Sequence, residues 1–443
     1  MKKLLCLSAS AFSIAAASAS AGGMEVGRYN PSFMFEEGNF AELSITNTTP
    51  KVTDDTFSPD GSMLGQMTNT SMSVKMNFND RVSFGFQHYD AARINLSYVG
   101  NGGPFSSFPE PIAATVSGPT IVAGAAIKTD PNTQVAIDAY APTAIGLGVA
   151  TPEQIAGLAA QNDPATQLAI LNYKNSLSAA QLNALLISQV GTAPEPFVDL
   201  SFKSTVLTLN YKVNDRVDVF GGIKYSTGSA TGNVLSNPHG DLAASDASGT
   251  APVLGVSYSI PDIALRVTAT YQGKTETSHA TTRTYNSVET DLENTKAALP
   301  ESFTLDFQTG IAKDTLLFGS IHRAKWGGAH IYFDGASEPK TTWTDSTSYS
   351  LGVGRKINEN WAISASYNYE EGTESSGTSL LSTTNGVRGV TLGARYTMDK
   401  MVVSLGVNYS EFGDKTVTAA PLGTGKFTNN SMTSVGLKIG YRF

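Results

Sequence analysis

Five histidines, His88, His239, His279, His322 and His330, are the side chains best suited to proton transfer or metal binding. A hydrolytic site needs a histidine beside a nucleophile and an orienting partner. His239 and His279 sit in polar stretches without such neighbours, and no His-Ser-Asn pattern occurs. No spacing of His, Cys, Asp and Glu matches a metal cluster. The expectation is no enzyme, no catalytic residue, no metal and no cofactor. The cations carry more promise. Lys75, Lys203, Lys224, Arg266, Lys356, Arg395 and Lys438 fall on the polar phase of alternating segments, given that parity holds through the strand of Lys203. Most read as charges paired with Asp218, Asp306 or similar groups. Lys224 and Arg266 stand out, because both lie in the loop-side halves of adjacent hairpins. Phe33, Met34, Phe35 and the inward Phe220 offer apolar wall beside them. A cation next to apolar wall suits a ligand with an anionic head and an apolar tail.

Those positions depend on a repeated hairpin. Leu207–Tyr225 alternates apolar and polar residues, breaks at Asn214-Asp215, and alternates again. Period two on both sides of a tight turn is a β-hairpin signal. The same module surrounds Asn79-Asp80, Pro261-Asp262, Lys313-Asp314, Glu359-Asn360 and Asp399-Lys400. Adding a strand near Phe40–Thr49 and another near Met432–Phe443 brings the total to about fourteen strands, with short turns at one end and long loops at the other. The fold class expected is all-β: a transmembrane antiparallel β-barrel, residues 39–443. A closed ring leaves no edge and satisfies every backbone group, as lipid demands.

The N-terminus points to export. Lys2-Lys3, an apolar Leu4–Ala17 and Ala19-Ser20-Ala21 make a signal peptide over residues 1–21. Cys6, the single cysteine, leaves with it. The remainder has 28 basic and 38 acidic residues, a net charge of −10. Such an acidic chain is a poor partner for nucleic acid. No later apolar run reaches the roughly 20 residues of a membrane helix.

Residues 22–38 precede the first strand, with Asn30-Pro31 fixing a bend. They read as a disordered leader or a hatch inside the lumen, and Phe33, Met34 and Phe35 favour the hatch. In the third strand Gly85 and His88-Tyr89-Asp90 interrupt the pattern, which predicts a bulge or kink. Residues 100–196 form one long external loop. Its second half reads as helical, from Thr151-Pro152, Asp163-Pro164 and the stripe Leu182, Leu185, Leu186. It is expected to be a small helical cap or an apolar ligand-binding surface. The stretches near Thr227–Thr250, Thr275–Leu299, Trp326–Thr344, Glu371–Gly386 and Gly413–Asn429 read as polar loops. Tyr225, Tyr271, Trp326, Trp343, Tyr369 and Tyr409 would form one aromatic girdle. Phe78, Tyr211, Tyr258, Trp361, Tyr396 and Tyr441 would form the other. Ser434–Phe443 alternates to an aromatic C-terminus, which resembles the signal read by the barrel assembly machinery.

Three blocks, Ser204–Ile223, Leu299–Trp326 and Val435–Phe443, together with Asn30-Pro31-Ser32, resemble the FadL/TodX family. Its members are outer-membrane transporters of long-chain fatty acids and other hydrophobic compounds. The resemblance implies a monomeric fourteen-stranded barrel in a Gram-negative outer membrane, closed by an N-terminal hatch whose turn is Asn30-Pro31. It implies passive transport, with capture of a fatty acid-like molecule by external loops and sideways exit at a kinked third strand, here Gly85–Asp90, with Gly85 and His88 as the gate residues. Lys224, Arg266, Phe33, Phe35 and Phe220 are the expected ligand contacts. The chain departs from the family in its short hatch and in the position of its largest loop. Alternatives are an aromatic-compound channel, a general porin, or an adhesin acting through its loops.

Overall fold

A computed structural model describes residues 24–107, 195–233, 240–285, 288–332, 339, 341, 343–372, 375–419 and 423–443. The signal peptide and the helical stretches expected within 100–196 lie outside these residues. The strands are β1 (Phe40–Lys51), β2 (Met67–Asn77), β3 (Val82–Ser97), β4 (Phe197–Lys212), β5 (Val217–Asn233), β6 (Asp241–Ile260) and β7 (Leu265–Gln272). They continue with β8 (Thr275–Tyr285), β9 (Val288–Leu299), β10 (Ser302–Ala312), β11 (Thr315–Ala324), β12 (Ser346–Lys356) and β13 (Trp361–Glu370). Last come β14 (Ser376–Gly377), β15 (Asn385–Met398), β16 (Met401–Gly413), β17 (Lys415–Ala419), β18 (Gly423–Phe427) and β19 (Ser431–Arg442).

Fourteen of these close into an antiparallel barrel. β1 pairs β19 from Phe40↔Arg442 to Lys51↔Ser431, and β5 pairs β6, so the ring has no edge. β8 and β9 stand outside the ring as a hairpin on the loop-side end of β6. β14, β17 and β18 form a small separate sheet. All six expected tight turns are present. Three share one device: the side-chain oxygens of Asn79, Asn214 and Asn358 each accept two backbone N–H bonds from the residues that follow. An Asn side chain supplies the acceptor that a tight turn requires.

Burial is inverted relative to a water-soluble sheet protein. Leu43, Leu209, Leu254, Leu351, Leu392 and Leu405 are exposed on the outside. Ser73, Ser204, Thr208, Ser257, Ser404 and Ser434 are buried on the inside. The inner polar groups satisfy one another across neighbouring strands, as in Ser204–Ser226 at 2.7 Å and Ser257–Thr268 at 3.0 Å. A closed barrel with an apolar belt outside and hydrogen-bonded polar groups inside is the build of an outer-membrane protein.

The structure corrects several expectations. Thr275–Leu299 is the β8–β9 hairpin, and β5, β6, β17 and β18 extend into other stretches read as loops. Their threonines favour strand, but without apolar alternation they carry no periodic signal. Trp326 and Trp343 are buried and pack edge to face at 5.2 Å, so they do not belong to a girdle. Lys203 points outward. It shares the odd phase of β4 with exposed Leu207, Leu209 and Tyr211, so the unbroken parity that buries Ser204 and Thr208 places Lys203 outside.

Close packing of β4 on β5 depends on Gly222. A Cβ there would overlap the Leu207 carbonyl on the adjacent strand. Gly222→Val is therefore expected to cost about 1–3 kcal/mol. A lower urea midpoint for the folded, fast-migrating electrophoretic form would show it.

Candidate functional site

Residues Met24–Gly38 cross the lumen. Asn30 accepts from Ser32 N–H and precedes Pro31, which opens a short 3-10 turn, Pro31–Phe35. This segment has two faces. On the apolar face, Tyr29 packs against Phe33 and Phe220, each at 6.3 Å between ring centroids. Tyr29 also bonds Thr208 of β4, and Met34 sits where a side chain at Gly85 would have to go. On the polar face lie Glu25, Arg28, Asn30 and Ser32, with Phe35 under the Arg266 guanidinium at 4.4 Å.

Ion pairs hold both ends of the segment. Glu25 meets His322 of β11 at 3.0 Å, and Glu36 meets Arg442 of β19 at 2.7 Å. His322 is also tied to Thr304 at 2.8 Å. Burial pushes the Glu25 carboxyl up, but His322, Arg28 and Lys224 outweigh burial and hold it below the ordinary carboxylate value. Its contribution to docking is therefore full above that ordinary value and is lost as pH falls through the lowered one. Deleting the histidine removes a partner from a largely buried charge. His322→Ala is expected to weaken docking of the segment by roughly 3 kcal/mol. Faster proteolytic cleavage near Glu25 would report it.

The segment also completes the wall. β2 and β3 are paired only from Ser71↔Tyr89 down to Asn77↔Ser83. Above that the seam parts, and Met24–Gly27 lies along β3, with Glu25↔Ala92 as a bridge and Val26 N–H donating to the Ala91 carbonyl at 3.0 Å. Across the parted seam, the Asp90 carboxylate accepts from Thr70 N–H at 2.7 Å and from Thr70 Oγ1 at 3.0 Å. The irregularity expected between Gly85 and Asp90 thus falls at Asp90–Ala92. Gly85 lies below it, under Met34, and His88 sits on the outward phase, bonded to Thr205.

Two cavities flank this arrangement. The larger, ≈ 290 Å³, faces the polar side of the segment and reaches Thr70 and Asp90 at the seam. The smaller, ≈ 30 Å³, is apolar and lies at the loop end. It is walled by Ile94, Leu200, Phe202, Ala230, Ala244 and Leu381, and the β8–β9 hairpin covers it. His279 reaches this wall edge-on to Phe202, with both ring nitrogens engaged by Thr277 Oγ1 and the Ser245 carbonyl. Lys224 faces the lumen further down β5, lines neither cavity, and donates to the Gly273 carbonyl at 3.2 Å. Arg266 and Phe35 line the polar cavity; Phe33 and Phe220 are packed solid against Tyr29. Arg266, the second residue of β7, stands beside the tight turn at Pro261–Ile263 and not in the loop-side half expected, so it does not share a space with Lys224. Sequence reasoning placed His279 in a polar loop and did not single out Leu200, Phe202 or Ala230. Only pairing across β3 to β9 brings these residues together. Among the described residues, no group of three or more His, Cys, Asp and Glu is placed to hold a metal ion.

Structural comparison finds the same architecture in solved barrels. A FadL homologue from Pseudomonas aeruginosa matches with a TM-score of 0.59 at 12% identity, over 94% of this chain and 93% of that one. The toluene transporter TodX from Pseudomonas putida matches at 0.56 and 14% identity, over 96% and 98%. TbuX, the toluene transporter of Ralstonia pickettii, matches at 0.55 and 13%, over 95% of each chain. The chain has the FadL/TodX barrel fold. No known family pattern and no curated protein sequence matches it. The likeness therefore lies in the strand order of a FadL/TodX-type barrel rather than in shared sequence.

Proposed function

We propose that the chain is a passive outer-membrane transporter of long-chain fatty acids or similar hydrophobic molecules. The apolar cavity under the β8–β9 hairpin, at the loop end of a barrel crossed by its own N-terminal segment, carries this reading. Cargo enters there from the external side. Such a pocket binds apolar molecules through the area it removes from water. The cavity is narrow, so a ligand widens it by displacing a wall. Leu381 is the candidate, since it lies in the stretch between β14 and β15 rather than in a barrel strand. Exit is sideways, at the parted β2–β3 seam, once Met24–Gly27 leaves β3. In this reading residues 22–38 act as a hatch, the barrel works as a monomer, and Phe443 ends the strand read by the assembly machinery.

A second reading concerns the cargo. No Lys or Arg lines the apolar cavity among the described residues. That favours an uncharged hydrocarbon over a carboxylate, unless the head of a fatty acid reaches down to Lys224. The solved toluene transporters of the same fold lend support. Calorimetric titration of the purified chain with oleate and with toluene separates the two. Saturable binding of oleate that is lost in Lys224→Met supports the acid. Binding of toluene alone supports the hydrocarbon, and binding of neither overturns the transporter reading.

A further inference from the structure

The larger cavity makes different demands from the apolar one. Its ≈ 290 Å³ would hold roughly ten waters by their liquid volume. Three of its polar groups are not satisfied by the protein. Asn69 of β2 lines the cavity, and its amide, closed off from the open space, has no hydrogen-bond partner on either its oxygen or its nitrogen among the described residues. On the opposite wall, β10 places Asp306 level with Ser320 of β11. Asp306 lines the cavity and feels the charges of Arg28 and His322 without a direct contact to either among the described residues. Arg28, from the polar face of the luminal segment, has one long contact, 3.5 Å to Ser320 Oγ.

An acid and a guanidinium thus flank one serine without forming an ion pair. Inside a barrel, opposite charges this close normally collapse onto each other or carry a large desolvation cost. Here the segment anchors Arg28 and the strand register fixes Asp306, so the space between them stays open to a third group. A buried unsatisfied polar group calls for such an explanation.

We infer that this cavity is a second binding site, for a small zwitterion. Arg28 takes the anionic group by charge-assisted hydrogen bonds, and Asp306 takes the ammonium. The chemistry is shared by a free amino acid, which would arrive through the lumen, and by a phosphoethanolamine lipid headgroup, which would arrive through the parted seam at Thr70 and Asp90. The site shares no lining residue with the apolar pocket, and its occupation does not require hydrophobic transport.

The test is calorimetric titration of the full-length detergent-solubilised barrel with four probes: L-glutamine, O-phosphoethanolamine, glutarate and putrescine. At least one zwitterion is expected to bind saturably and at least tenfold more tightly than glutarate or putrescine, each of which carries charge of one sign only. The tighter of the two zwitterions identifies the source. This comparison uses the unaltered chain and does not depend on a variant folding. Asp306→Asn and Arg28→Gln, in protein that keeps its folded electrophoretic mobility, are each expected to weaken zwitterion binding at least tenfold. Absence of saturable zwitterion binding, or equal binding of putrescine or glutarate, would overturn the inference and leave a water-filled chamber. Unchanged zwitterion affinity in both folded variants would do the same.

Discussion

Locking the N-terminal segment onto β3 is expected to abolish sideways release. The Glu25→Cys/Ala92→Cys pair joins two residues that face each other across an antiparallel bridge. Directly opposed antiparallel residues have Cα atoms roughly 4.5–5.5 Å apart, within the range of a disulfide. The chain's own single cysteine is Cys6, and Cys6→Ser ensures that no other thiol competes. Oxidised protein should lose at least tenfold in uptake of its hydrophobic cargo, and a reductant should restore it. Glu25→Cys alone separates loss of the His322 ion pair from the lock, because it removes the pair without closing the seam. Full uptake through the oxidised double variant would show that cargo does not pass this seam.

Filling the apolar pocket should be as damaging at the entry step. Ala230 lies on β5 between Leu200 and Ala244, and all three face the cavity. Ala230→Leu adds three carbons to a space of ≈ 30 Å³. Each buried methylene of a displaced ligand is worth about 0.8 kcal/mol, so excluding even two of them lowers affinity roughly tenfold. The variant is expected to bind its cargo at least tenfold more weakly. Zwitterion binding in the other cavity should not change, since the two cavities share no lining residue. Undiminished cargo affinity in the folded Ala230→Leu variant would move the capture site away from this pocket.

Period-two alternation made the ring of strands legible, because the outside of such a barrel must be apolar at every second residue. The turns were legible from Asn, Asp and Pro at the breaks. Signals failed where a strand buries threonine and serine on one side and faces water on the other. β8 and β9 are of this type, and they form the roof of the candidate site. Parity also fails where a bulge inserts a residue, as at Asp90–Ala92 in β3, whereas Lys203 lies outside because it shares the phase of Leu207 and Leu209 in β4. The tryptophan pair was misassigned for another reason. Residue type predicts an interfacial girdle, but Trp326 and Trp343 bury against each other in the loop region.

The site was legible only in part. Lys224, Arg266 and Phe220 were rightly placed on the inward phase, yet alternation cannot say which inward residues share a space. That depends on strand order and on the two-faced segment between them. The same limit hid the relation between Asp306 and Arg28, which lie far apart in sequence. Asp306 was expected to pair with a lumen cation; the register instead leaves it facing the cavity.

The most direct measurement is entry of radiolabelled oleate and of radiolabelled toluene into cells whose outer membrane carries the chain, against cells without it. At least one compound should enter no less than tenfold faster with the chain present, and that gain should disappear in the oxidised Glu25→Cys/Ala92→Cys variant. Entry of neither compound above background, from a barrel shown to be inserted and folded, would contradict hydrophobic transport altogether.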